Sequence, residues 1–127
     1  MIALSSIIDL QVDDWVEKVE REERPVVVEY WHHKCVVCVE MKPIFAAQPQ
    51  KYDNAVVFAR INLLESKENR VFAIKNGVRS TPTFVVYCVG RPIGQIIGRR
   101  EPKEFAEELK MIIDNADNCL KATPLKE

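Results

Sequence analysis

No run in this 127-residue chain is apolar for long enough to cross a bilayer, which takes about 20 residues, so a membrane-spanning role is not expected. The opening stretch "MIALSSIIDLQVDDW" lacks a basic leader and turns acidic by Asp9. No secretory signal is expected, and the cytoplasm, where thiols stay reduced, is the expected compartment. The chain also lacks an excess of charge of one sign. A net charge of -1 gives no general attraction to nucleic acid. There is no internal repeat and no low-complexity segment. Cysteine is sparse: Cys35, Cys38, Cys88 and Cys119, of which only the first two lie close together. Two disulfide staples would suit a small secreted domain. Here 47% apolar residues can build a core for one domain without them, so the close pair is better read as catalytic or metal-binding.

The periodicities give an alternating order. Val12, Trp15, Val16 and Val19 have helical spacing within Val12 to Glu23, with Asp13 as the expected N-cap. "RPVVVEYW" reads as a buried strand opened by Pro25. "VEMKPIFAAQPQKY" is helical, with Pro43 expected to kink it and Pro49 to kink or end it. "AVVFARINL" is a strand. Glu65 to Gly77 is a short helix stopped by Asn76-Gly77. "TFVVYCV" is a strand joined by a turn through Gly90-Arg91 to "PIGQIIG", where Pro92 and Gly94 predict a sheet edge or a bulge. Glu101 to Ala116 closes the order as an amphipathic helix, with Phe105, Leu109 and Ile112 on one face and Pro102 in its first turn. Early alternation predicts parallel pairing through crossover helices, and the late hairpin predicts an antiparallel edge. Residues 1–118 are expected to form a single domain, and 119–127 a flexible tail.

The chemistry gathers in "WHHKCVVCVEMKP", Trp31 to Pro43, where a buried strand feeds a helix. Chemistry in open α/β sheets collects at the carboxyl ends of strands. Cys35 and Cys38 could form a zinc site with His32 and His33, a structural disulfide, or a redox dithiol. Zinc wants four tetrahedral ligands, and adjacent histidines rarely aim at one ion, so no metal is expected. A structural disulfide does not suit a reducing compartment. Cys88, in a core strand, reads as an inert buried thiol, and Cys119 as an incidental one in the tail.

"VVVEYWHHKCVVCVEMKP", "GVRSTPTFVVY" and "GRPIGQIIG" together resemble the thioredoxin family's strand, active-site loop and kinked helix, its cis-proline segment and its closing hairpin. The resemblance covers about residues 8 to 116. It implies a thioredoxin fold: a central mixed β-sheet of four to five strands flanked by helices in three α/β/α layers. It also implies a thiol–disulfide oxidoreductase that binds no cofactor and acts as a monomer on disulfide-containing proteins. Its electrons would come from a thioredoxin reductase or a small thiol.

Under that resemblance Cys35 lies at a helix start, where free N–H groups and the helix dipole lower its pKa, and acts as nucleophile. Cys38, one turn on, is the resolving thiol. Glu29 stands where the family usually carries an aspartate and is the expected proton acceptor. Pro82, if cis, sets the Thr81 backbone beside Cys35 to pair with an extended substrate. Trp31, Lys34, Val36, Val37 and Gly98 complete the expected substrate surface, and Arg79 and Arg99 add cations at its rim, hinting at acidic partners. Two departures matter. Val36-Val37 replaces the family's Gly-Pro, so Val37 offers an N–H that proline lacks. Lys34 replaces the usual tryptophan and adds a cation. Both favour the thiolate, and so a weaker reductant than an ordinary thioredoxin. An oxidase or isomerase, or an adaptor with an idle C-x-x-C, are the alternatives.

Overall fold

The computed structural model describes residues 7–116. The expected tail and Cys119 lie outside the described residues. Five strands form one sheet: β1 (Ile8–Asp9), β2 (Val26–Trp31), β3 (Val57–Asn62), β4 (Thr83–Cys88) and β5 (Arg91–Ile97). Their order is β1-β3-β2-β4-β5. β3 pairs in parallel with both β1 and β2, while β4 runs antiparallel to β2 and β5. This is the mixed sheet that the alternation followed by a hairpin predicts.

The strands are apolar almost throughout because both faces are covered. Val26, Val28, Tyr30, Val85 and Tyr87 face one core with Trp15, Val19 and Ala73. Val27, Phe58, Phe84 and Val86 face the other. Helix α1 (Val36–Ala46) and helix α3 (Pro102–Asp114) cover that second face through Met41, Phe45, Phe105, Leu109 and Ile113. Helix α2 (Lys67–Lys75) lies on the first, capped by the Ser66 hydroxyl, which accepts from Asn69 N–H at 3.0 Å. Gly77 follows its end at φ 83°, as Asn76-Gly77 predicted.

Five local expectations are corrected. The first helical segment is a 3-10 turn, Val12–Asp14, followed by a π-helical turn, Val16–Glu20, and stops short of Glu23. Its N-cap is Gln11, not Asp13, because the Asp14 carboxylate reaches back to accept the Gln11 N–H at 3.0 Å. α1 begins at Val36 and so includes Cys38; it runs through Pro43 and ends at Ala46, before Pro49. The hairpin turns on Val89-Gly90, with φ of 52° and 82°, which leaves Arg91 inside β5. Paired positive φ values suit the right-handed twist of a two-residue hairpin. In α3 the buried face is Phe105, Leu109 and Ile113, with Ile112 half-buried beside it.

β5 is both an edge strand and bulged. Val86 pairs with Gly94 and Tyr87 with Pro92, so Ile93 is the extra residue. Gly94 also has a packing reason: a Cβ there would lie 2.7 Å from Cγ2 of Ile112 in α3.

Candidate active site

β2 carries the chain into the site, and its alternation decides what faces what. Val27 faces the core under α1, so Glu29, two residues on, faces the same side. The turn after Trp31 closes with Cys35 N–H donating to the His32 carbonyl at 3.2 Å. Cys35 is then the N-cap of α1, with extended backbone, and its sulfur accepts the Cys38 N–H at 3.1 Å. Cys38 sits one turn later, on the buried face of the helix.

The two thiols are driven apart. Burial alone would raise Cys35. The Cys38 thiol, the Thr81 side chain and the backbone N–H groups of Cys38 and Val37 outweigh it, so Cys35 titrates below its ordinary value. The Val37 contribution is the one a proline could not make. The Lys34 ammonium, expected to assist, is not among the lowering groups, and Lys34 is exposed. Cys38 is pushed up to about 12, first by burial and then by Cys35 beside it. One half-exposed thiol readily ionised and one buried thiol held protonated form a nucleophile and a reserve.

The Thr81–Pro82 peptide is cis, and the Thr81 carbonyl lies 3.5 Å from the Cys35 sulfur. Gly98 N–H donates to the Pro82 carbonyl at 2.9 Å, so the expected closing glycine meets the cis-proline segment. Val36 projects at 72% exposure beside Cys35, while Val37 turns inward against the core. Val39, at 59%, extends the exposed apolar surface one turn further.

Glu29 is 1% exposed, and its carboxyl is raised to about 7, chiefly by burial, with Arg60 and Lys42 pulling the other way. Arg60 lies opposite it on β3, with Nε 4.0 Å from the carboxylate, a long contact that leaves burial dominant. The guanidinium also stacks on Trp31, 3.8 Å from the ring centroid. Trp31 is thus packed against Arg60 and only half-exposed. Arg60 escaped the sequence reading. A signal was present: an arginine two residues after Phe58, on a strand read as buried, must face the same core as Phe58.

Not every expected group converges. Arg99 is paired with Glu40 at 3.3 Å and Glu101 at 2.7 Å, so its charge is matched within the chain. Lys34 and Arg79 are both exposed. Among the described residues no three His, Cys, Asp or Glu side chains are grouped to hold a metal ion. No described helix is long and apolar enough to cross a membrane. Cys88 closes β4 at the end opposite Thr83, away from the Cys35 loop.

Comparison with known proteins agrees with this geometry. The family model described as thioredoxin matches residues 6–111. A thioredoxin of Alicyclobacillus acidocaldarius is 32% identical over 85 residues, 67% of this chain and 77% of its own. One from Synechocystis is 30% identical over 102 residues, covering 79% and 92%. The chloroplastic thioredoxin M4 of Arabidopsis thaliana is 31% identical over 100 residues, covering 79% of this chain and 50% of its own.

Proposed function

The chain belongs to the thioredoxin family of thiol–disulfide oxidoreductases, and on that premise we propose that it reduces disulfides in partner proteins through a Cys35/Cys38 cycle. The Cys35 thiolate attacks one sulfur of the partner disulfide and expels the other as a thiolate, leaving a mixed disulfide. Cys38 then attacks the Cys35 sulfur. Its proton passes to Glu29, the second partner thiolate leaves, and the chain is left oxidised. A reductase or a small thiol returns two electrons. The observation that carries this reading is the 3.1 Å contact from Cys38 N–H to the Cys35 sulfur, which favours the thiolate at the exposed member of the pair.

The partner peptide is proposed to lie extended along Thr81 and Pro82, with Val36, Val37, Trp31 and Gly98 around the sulfur and Lys34 and Arg79 steering acidic surfaces. The working form is proposed to be a cytoplasmic monomer. Insulin reduction with dithiothreitol as electron source tests the proposal. Turnover in the wild type that disappears in Cys35→Ser supports it; equal turnover in both refutes it. A second reading, oxidase or isomerase, is favoured by the Val37 N–H, which stabilises the thiolate and so raises the potential. Recovery of activity from scrambled ribonuclease would support that direction.

A further inference from the structure

We propose that Val39, together with Val36, forms an apolar strip on the first turn of α1 that selects partner disulfides whose cysteine is flanked by a large apolar residue. The inference rests on the disulfide-reduction reading and names the partner class that the same site takes. Val36 is 72% exposed and Val39 59%. Residues three apart on a helix share a face, with Cβ atoms about 5–6 Å apart, so the two side chains are continuous. A helix surface open to water usually carries polar side chains. Here Val36, Val37, Cys38 and Val39 bring no charge to the first turn.

The strip begins at the reacting atom. Cys35 is the N-cap of α1, directly before Val36. Its sulfur lies 3.5 Å from the Thr81 carbonyl and 3.1 Å from the Cys38 nitrogen, and Cys38 itself is buried. A partner cysteine bonded to that sulfur has its Cα roughly 4.4–6.8 Å from that of Cys35, and its neighbours follow at about 3.8 Å per residue. One flank of the partner runs along Thr81, and the other crosses the first turn of α1. That second flank meets Val36 and then Val39.

The charges beside the strip favour an apolar occupant. Glu40 lies four residues after Val36, on the same face, and is the first charge there. Arg99 holds its carboxylate at 3.3 Å and also reaches Glu101 at 2.7 Å. Glu40 is thus matched within the chain and needs no counter-charge from a partner. A leucine or phenylalanine laid on the valines removes apolar area from water on both sides. An aspartate or lysine there loses hydration and gains no partner.

The test mixes the full chain, pre-reduced and freed of reductant, with disulfide-linked dimers of Ala-Leu-Cys-Leu-Ala or of Ala-Ser-Cys-Ser-Ala. Each second-order rate constant is divided by that for reduced glutathione, which removes the peptides' intrinsic difference. The proposal expects the leucine peptide to react about tenfold faster, the equivalent of roughly 1.4 kcal/mol. Val39→Ser should lower that ratio several-fold by slowing only the leucine peptide, and Val39→Leu should keep it. Ile74→Ser, which removes an exposed apolar residue from α2 on the other face of the sheet, should leave it unchanged. Equal rates for the two peptides in the wild type, or an undiminished ratio in Val39→Ser, would overturn the inference while leaving disulfide reduction standing. No reaction with either peptide would sink the reduction reading, and the inference with it. A wild-type dimer that Val39→Ser returns to monomers would assign the strip to a second copy of the chain and overturn the proposal too.

Discussion

The Cys38 N–H points at the Cys35 sulfur from 3.1 Å, so the residue proposed to resolve the mixed disulfide also helps to hold charge on the sulfur proposed to form it. The Val37 N–H joins it. Both are donors of the first turn of α1, which have no partner inside the helix.

Val37→Pro removes one of those donors. The Cys35 pKa should rise, and the reduction potential should fall toward the roughly -270 mV of an ordinary thioredoxin. Thiolate absorbance against pH and equilibration with glutathione measure the two. A variant no more reducing than the wild type would show that the Val37 N–H does not set the potential.

Glu29 makes stability fall as pH rises. Its carboxyl is held near 7 in the folded chain, against 4.5 ordinarily. Below 4.5 both states are protonated and nothing is lost. Between 4.5 and 7 the unfolded chain ionises first, so the folded state is progressively disfavoured, by roughly 3 kcal/mol above pH 7. Glu29→Gln should be more stable than the wild type at pH 8 by about 2–3 kcal/mol, with little difference at pH 4. Its disulfide exchange should slow if, as proposed, Glu29 takes the Cys38 proton. Urea unfolding at the two pH values checks the sign.

Val89 holds a left-handed φ of 52°, which a β-branched residue adopts at a cost. Val89→Asn places Asn-Gly in the hairpin and should stabilise the fold by about 1 kcal/mol. Thermal unfolding should show a higher midpoint with unchanged insulin reduction.

Gly94→Ala should do the opposite. The added Cβ would sit 2.7 Å from Ile112 and push α3 off the sheet. A loss of about 1–3 kcal/mol is expected. Pairing it with Ile112→Val, which leaves Cγ2 in place, should recover little, whereas Ile112→Ala should relieve the clash while opening a gap.

The parts of the fold legible in the sequence were those with a strong local signature. The apolar run of β2, the T-P-T segment and the amphipathic α3 each announce themselves, and Cys35 followed by Cys38 at a strand-to-helix junction locates the site. What escaped depends on reach across space. The first helical segment looked regular because its apolar spacing is helical, yet Asp14 turns back to Gln11 and sets a different start. The hairpin slipped by one residue because a valine with positive φ has no sequence signal. Arg99 looked like a free rim cation until Glu40, on another element, came to lie beside it. Arg60 was hidden inside a strand motif, although its parity with Phe58 placed it under Glu29.

The central claim, that Cys35 attacks and Cys38 resolves, is tested most directly by trapping. Cys38→Ser is mixed with a disulfide-bonded substrate protein, and the product is mapped by mass spectrometry. The account predicts a stable mixed disulfide on Cys35, released by dithiothreitol. A covalent complex on another cysteine, or none at all while the wild type still turns over insulin, would contradict it.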